Sequence, residues 1–254
     1  MRFLLDVSYK GTEYSGFQVQ KNAVSIQEKL NEAISLLLRE NISTTSASRT
    51  DRGVHANQNF VHFDFGKPLP NDFPKRLNFV LPKDISVNNV YQTTDDFHSR
   101  FDGIERSYLY IIYFKKNPFM IERGWFCPTP LDIKKMNDCA KLLKKYTDYS
   151  SFTKTHTQVK TNDCTIKKAK WAFDKKNGQL LFEVTANRFL RGMVRALVGT
   201  MVQVGNGKLS VTDFKKIIES KNALLADFSP PPQGLYLVSI KHKKNKELLF
   251  SKFV

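Results

Sequence analysis

The chain has 254 residues, of which 41% are hydrophobic and 25% are charged, a composition that is typical of globular proteins and excludes disordered and membrane-embedded ones. Its 40 lysine and arginine residues outnumber its 24 aspartate and glutamate residues and give a formal net charge of +16. Such an excess repels itself unless a polyanion neutralises it, so RNA, DNA and anionic membrane surfaces are the partners that composition favours.

The cysteines and the N-terminal residues bear on the compartment. Cys127, Cys139 and Cys164 are odd in number and widely spaced, which is typical of neither a disulfide framework nor a zinc-binding set. We therefore expect free thiols in a reducing cytoplasm. The apolar start Phe3–Leu5 is interrupted by Asp6, and no apolar run reaches the roughly 18 residues of a membrane-spanning helix. Neither a signal peptide nor a membrane anchor is expected.

The first half of the chain predicts the element order βαββαβ. A strand at Phe3–Tyr9 and a glycine-containing loop are followed by apolar residues at helical spacing, which predict a helix over Ser25–Leu38. Ser25 and Glu28 have the spacing of a capping box at its start. The remaining predicted elements are a short segment ending near Ala47, a strand Gln58–Phe65, a helix Phe73–Val80 and a strand Ile85–Tyr91.

The second half repeats this order with one additional helix. Its predicted elements are a strand Tyr108–Phe114, a helix Leu131–Leu143, strands Thr165–Phe173 and Leu180–Ala186, helices Phe189–Val204 and Val211–Glu219, and a strand Leu235–Lys241. The turn-forming residues Lys175–Gly178 join the two middle strands. Pro230–Pro232 predict a stiff surface connection, because consecutive prolines fit neither a helix nor a sheet ladder.

These elements predict an α+β fold with two halves, residues 1–104 and 105–254. Each half is expected to be an antiparallel sheet covered on one face by helices. No low-complexity linker separates them, so we expect the halves to share an interface.

The densest polar segment, Ser48–Ala56, lies between two predicted strands, where a loop can hold catalytic groups on a rigid scaffold. Asp51 stands between Arg49 and Arg52, and a guanidinium that reached its carboxylate would keep it ionised, as a nucleophile or general base requires. Gly53 permits a tight turn beside it. From spacing alone, an ordinary polar turn in which Asp51 caps a backbone N–H is the alternative.

Two other hypotheses use the histidines that follow. His55 and His62 with Asp64 suggest a metal site, but no complete ligand set is recognisable, so we predict no metal and a polar surface stripe at His62 and Asp64. A hydrolase is the second hypothesis, with Asp51 and either Asp64 or His62 as an acid and base pair.

Several motifs resemble, in order and spacing, those of the TruA family of tRNA pseudouridine synthases. Arg49–Asp51 followed by Gly53–Ala56 resembles the active-site motif of that family. The other similar segments are Tyr9–Gln18, Ser25–Leu30, Asp96–Phe101, Tyr108–Tyr113, Ser150–Phe152, Phe189–Arg195 and Gln233–Leu237. The resemblance extends over essentially the whole chain.

The resemblance implies a fold of two ferredoxin-like halves, joined into one extended antiparallel sheet with helices on one face and a basic central cleft. It also implies a homodimer that binds the anticodon stem-loop of tRNA and isomerises uridines at positions 38, 39 and 40. No cofactor is expected, because the reaction transfers the ribose from a uracil nitrogen to a uracil carbon without redox change.

Three residues have catalytic roles by this resemblance. Asp51 is the catalytic carboxylate, acting as a nucleophile or assisting a glycal intermediate. Tyr108 stacks on the target uracil, although its position in a strand also permits a core role. Arg195 pairs with the aspartate and orients it, and its alternative is a solvated helix arginine.

Three further arginines are expected to bind the RNA. Arg49 fills the vacancy that the flipped uridine leaves in the helix, and Arg100 and Arg106 contact phosphates. A non-catalytic RNA-binding protein of ferredoxin-like fold is the alternative function, although no segment resembles the aromatic signature of an RRM.

Overall fold

The structure, a computed structural model, describes residues 1–154 and 161–243 and the backbone of residues 251–252. Its strands are β1 (Arg2–Tyr9), β2 (Thr45–Ser46), β3 (His55–Asp64), β4 (Ile85–Thr93), β5 (Gly103–Tyr113), β6 (Trp125–Phe126), β7 (Ile166–Asp174), β8 (Gln179–Ala186), β9 (Leu235–His242) and β10 (Ser251–Lys252). Its α-helices are α1 (Ile26–Leu38), α2 (Phe73–Val80), α3 (Ile133–Leu142), α4 (Met193–Gly205) and α5 (Val211–Ser220). In the part of the chain that the structure describes, no helix is long and apolar enough to cross a bilayer.

The strands pair mostly antiparallel, which confirms the predicted α+β class. The chain forms two compact units: Met1–Glu105 together with the stretch that begins at Leu237, and Arg106–Tyr236. The final strand β9 is present as expected, but from Leu237 onward it belongs to the first unit, whereas the sequence assigned it to the second half.

The first unit has the strand order β10-β4-β1-β3-β9, with β2 also paired to β3. Strand β1 is central, and its Leu5 lies opposite Val61 of β3 and Val90 of β4. Helix α1 has the predicted capping box, in which the Ser25 hydroxyl accepts from the N–H of Glu28 and the Glu28 carboxylate accepts from the N–H of Ser25. The apolar side chains that α1 buries are Ile26, Leu30, Ala33 and Ile34.

The predicted polar stripe on β3 is wrong at His62. Its side chain is only 6% exposed, and its Nδ1 lies 2.8 Å from the hydroxyl of Ser99. Asp64 is exposed and binds Arg2 through two hydrogen bonds of 2.8 and 2.7 Å. The turn over residues 97–102 covers His62, and period-two alternation within β3 cannot reveal a covering segment that is distant in the sequence.

Burial is the main reason that the pKa of His62 falls to about 4, and the positive charges of Arg2 and His98 lower it further. Because histidine titrates near 6.5 in an unfolded chain, unfolding takes up a proton between these two pH values. The free energy of unfolding is therefore expected to fall by up to about 3 kcal/mol as the pH drops from 6.5 to 4, and this contribution is fully present above pH 7.

His62→Asn keeps a polar group near the position of Nδ1 and removes the titration. Urea denaturation of both proteins in steps from pH 7.5 to 4 should therefore show a smaller acid-induced loss in the variant. Equal pH slopes for the two proteins would contradict this assignment.

The second unit has the strand order β5-β8-β7, and β6 pairs parallel to β5. Trp171 of β7 stacks on Phe182 of β8 with a centroid distance of 4.8 Å. Helix α4 is buried along most of its length, and α3 and α5 each bury one face. The predicted turn at Lys175–Gly178 forms as expected, with Gly178 at a φ of 64°.

Two predictions in this unit need correction. Helix α4 begins at Met193 rather than at Phe189, because Gly192 has a φ of 75° and interrupts helical geometry at the N-cap. Pro230 is buried rather than on the surface. Its ring lies against Gly199 of α4, where an added Cβ would approach the proline Cδ to 2.8 Å.

Candidate functional site

The loop that carries Asp51 enters β3 through a tight turn. The N–H of Val54 donates to the carbonyl of Asp51 at 3.2 Å, and Gly53 between them has a φ of 76°, which glycine adopts without strain. Asp51 is half-buried, and Arg49 and Arg52 on either side of it are exposed. The loop therefore presents one partly desolvated carboxylate between two solvent-accessible cations.

The residues that precede Asp51 are hydrogen-bonded to strands β1 and β3. The buried Thr50 hydroxyl lies 2.7 Å from the hydroxyl of Tyr9 in β1, and the carbonyl of Thr50 accepts from the N–H of Phe17 at 3.0 Å. The side chain of Asn59 in β3 binds both the carbonyl and the N–H of Ser48, at 2.9 and 3.3 Å. The backbone on this side of Asp51 is therefore fixed by the sheet.

Two glycines permit the close backbone approach that this arrangement needs. A Cβ on Gly11 would lie 2.0 Å from the carbonyl oxygen of Val54, and one on Gly16 would lie 2.9 Å from that of Thr50. The N–H of Gly11 also donates to Nδ1 of His55 at 3.0 Å. His55 is thus a buried structural residue that fixes the start of β3.

The metal and hydrolase hypotheses find no support in this geometry. No group of three metal-ligating side chains occurs among the described residues. Tyr9, which holds the Asp51 loop, and Arg2, which holds Asp64, lie at opposite ends of β1, roughly 24 Å apart at about 3.4 Å per residue. The proposed pairing of Asp51 with Asp64 or with the buried His62 is therefore wrong.

Tyr108 lies on β5 of the second unit, opposite Val184 of β8. Its side chain is 8% exposed, and its ring packs edge-on against Phe189 at a centroid distance of 5.1 Å. On the same strand face, Tyr110 is fully buried and donates its hydroxyl to the carbonyl of Pro231 at 2.7 Å. Burial raises the pKa of Tyr110 far above its ordinary value, so this phenol stays protonated.

Arg195 lies in the first turn of α4 and is half-buried, so it is not a solvated surface arginine. Its Nε donates to the carbonyl of Pro230 at 2.7 Å, and its Nη2 donates to that of Phe228 at 3.1 Å. Because Arg195 and Tyr110 bind the adjacent carbonyls of Pro230 and Pro231, the segment 228–231 connects the two side chains. Asp51 belongs to the other unit, and its pairing with Arg195 stays a prediction.

The three predicted RNA-binding arginines are divided between the units. Arg49 and Arg100 both line an open groove of the first unit, with a volume of about 270 Å³. Arg106 lies in the second unit, where its Nη1 donates to the carbonyl of Asn187 at 3.0 Å. The other residues that line the groove are Gln18, Gln27, Thr44, Thr45, Ser46, His98 and Phe101.

Comparison with known proteins gives the family. A family model described as tRNA pseudouridine synthase matches residues 7–102 and 141–243. The chain belongs to the tRNA pseudouridine synthase family. The resemblance drawn from the motifs is thereby confirmed.

Relatives in this family are similar over nearly their full length, and each is named tRNA pseudouridine synthase A. The protein from Porphyromonas gingivalis is 46% identical over 245 residues, covering 93% of this chain and 95% of the relative. The Bacteroides fragilis protein is 45% identical over 243 residues, with coverage of 95% and 96%. The Staphylococcus aureus protein is 35% identical over 251 residues, with coverage of 98% and 94%.

The matched segments of the family model include most of the predicted site residues. Asp51, Arg49 and Arg100 lie in the first segment, and Arg195 lies in the second. Tyr108 and Arg106 lie between the two segments. Sequence reasoning missed the residues that hold the loop, Tyr9 and Asn59 above all, because their hydrogen bonds join positions that are far apart in the chain.

Proposed function

We propose that this chain is an isomerase that converts uridines of tRNA to pseudouridine. The observation that carries the proposal is the half-buried carboxylate of Asp51 on a loop fixed by Tyr9, Phe17 and Asn59. Family membership and the net charge of +16 support it further, because a basic protein binds the phosphates of RNA through electrostatic attraction.

The reaction has a definite atom balance. The bond from ribose C1′ to uracil N1 breaks, the base turns, and a bond forms from C1′ to C5, while the proton lost from C5 is replaced by one gained at N1. No electrons enter or leave, so the proposal requires no cofactor. Asp51 acts as the nucleophile in this proposal, and Tyr108 stacks on the uracil whose bonds are exchanged.

The substrate positions are the finer part of the proposal. The targets are uridines 38, 39 and 40 of the anticodon stem-loop, and each must leave the base stack before Asp51 can reach it. Arg49 fills the vacated position, and Arg100 and Arg106 contact phosphates. The two units act as ferredoxin-like halves with a basic cleft, in a homodimer in the cytoplasm. The described cysteines are free thiols, which agrees with that compartment.

Pseudouridine mapping tests the proposal directly. Unmodified tRNA is incubated with the protein, labelled chemically and read by primer extension. New pseudouridine at positions 38, 39 or 40 is the expected result. A folded protein that binds tRNA and forms no pseudouridine would instead support the non-catalytic RNA-binding alternative.

Arg195 provides a prediction about positioning. Arg195→Lys keeps the charge but replaces a guanidinium that binds two carbonyls by a single ammonium group. We expect the single-turnover rate to fall about 10²-fold, because small displacements of catalytic groups have effects of this size. Lys216→Met, on the exposed face of α5 in the same unit, is the control. A wild-type rate for Arg195→Lys would remove this residue from the proposal.

A further inference from the structure

The rim of the groove described above carries an exposed aromatic ring. Phe101 is 71% exposed, and Arg100 beside it places its guanidinium carbon 5.9 Å from the ring centroid. A single exposed apolar side chain needs no explanation by itself. The rigidity of the segment that presents Phe101, and the charge beside it, distinguish this residue from other exposed ones.

Hydrogen bonds within the turn over residues 97–102, and one from the turn to β2, fix its backbone. The carboxylate of Asp102 accepts from the N–H of His98 at 2.8 Å, and the N–H of Asp102 donates back to the carbonyl of His98 at 2.9 Å. Nδ1 of His98 accepts from the N–H of Arg100 at 3.2 Å. The hydroxyl of Ser99 donates to the carbonyl of Thr45 at 2.9 Å. The phenyl ring therefore projects from a backbone that has little freedom to lose on binding.

The ring of His98 fixes the orientation of Phe101. The two ring centroids are 4.2 Å apart with an interplanar angle of 38°, so His98 packs against the phenyl ring, which remains 71% exposed. An aromatic ring that is held in place and largely exposed is suited to stacking on a nucleic-acid base.

The charge of the groove favours an anion. None of the described residues that line it is acidic. Arg49 and Arg100 supply its positive charge, and the guanidinium of Arg49 forms no hydrogen bond or ion pair with the residues that the structure describes. Arg49 stands two positions from Asp51 in the chain, so the groove and the Asp51 loop share this segment, although Asp51 itself does not line the groove.

We infer that the groove binds one nucleotide of the RNA strand that neighbours the target uridine. Its phosphate lies against Arg100 and its base stacks on Phe101, and Arg49 keeps the role in the vacated base position that is proposed above. The inference rests on the proposed function, and it adds a base-stacking subsite to the arginine contacts expected from the sequence. Arginines that bind the backbone and an aromatic ring that binds a base together characterise sites for single-stranded nucleic acid.

Phe101→Ala tests the subsite, and the first unit supplies a matched control. Phe79 on α2 is 92% exposed and does not line the groove, so Phe79→Ala removes a phenyl ring that is even more accessible than that of Phe101. We expect Phe101→Ala to weaken the binding of an anticodon stem-loop RNA about 10-fold to 100-fold, Phe101→Tyr to retain affinity, and Phe79→Ala to bind as the wild type does. Wild-type affinity of Phe101→Ala would overturn the inference.

Abasic RNAs identify the stacked base. Stem-loops with a single abasic nucleotide next to the target are tested one by one. For one of them, we expect the wild type to bind more weakly than it binds intact RNA. Phe101→Ala should bind that abasic RNA and the intact RNA equally well. If every abasic RNA loses the same factor with both proteins, Phe101 does not stack on a base and the inference is wrong. Pseudouridine formation by the wild type is measured in parallel, and its absence would contradict the proposed function instead.

Discussion

Asp51→Asn is expected to lower the rate of pseudouridine formation by about 10³-fold or more, because the amide has the shape of the carboxylate but can neither attack carbon nor accept a proton. The single-turnover rate on unmodified tRNA is the quantity to measure. The loop should keep its position, since its hydrogen bonds to Tyr9 and Asn59 do not use the Asp51 side chain.

The control for this variant is Asp95→Asn. Asp95 is an exposed residue of the same unit, and its replacement removes the same unit of charge. It should therefore leave the rate within about twofold of the wild type, because exposed charges contribute little. Wild-type turnover by Asp51→Asn, with a wild-type unfolding curve, would show that another group performs the reaction.

Gly11→Ala is expected to destabilise the protein by about 3 kcal/mol and to reduce catalysis as well. The added methyl would lie 2.0 Å from the carbonyl oxygen of Val54 and 3.2 Å from its nitrogen. Both are backbone atoms, so the conflict cannot be relieved by rotating a side chain, and overpacking of this kind costs about 1–3 kcal/mol or more. Relief requires the loop that carries Asp51 to move, which would also lower the rate.

Gly66→Ala is the matched control, because a Cβ at this glycine of the same unit meets no atom within 4 Å. We expect it to be neutral or slightly stabilising, since alanine restricts the unfolded chain more than glycine does. Urea denaturation measures the change in stability of each variant, and the single-turnover rate measures the change in catalysis. If both variants unfold at the same urea concentration as the wild type, the close approach of Gly11 to Val54 is not a structural requirement.

Local sequence patterns were sufficient for most of the fold. The capping box at Ser25 and the apolar spacing after it gave α1, and the bounds of α2 agree with those predicted. The start of α4 was wrong because Gly192, at a positive φ, follows residues of reasonable helical propensity. The return of β9 to the first unit depends on strand pairing over a long sequence separation, which short-range periodicity does not encode.

The same difference between local and long-range contacts decides which parts of the candidate site could be predicted. The Arg49–Asp51 motif could be recognised because it is contiguous in the sequence. The partners that fix it could not, since Tyr9 and Asn59 lie about 40 residues before Thr50 and 11 residues after Ser48. The burial of His62 depends on Ser99, a further 37 residues along the chain.

The return of β9 to the first unit also affects how the protein is made. A ribosome synthesises Met1–Glu105 before Arg106–Tyr236, but most of the strand that lies beside β3 is synthesised after both. The second unit, Arg106–Tyr236, is continuous and can therefore complete its fold earlier. Until β9 has left the ribosome, part of the edge of β3 has unpaired N–H and C=O groups, which can pair with other nascent chains. The unit that carries Asp51 is thus begun before the second unit and completed after it.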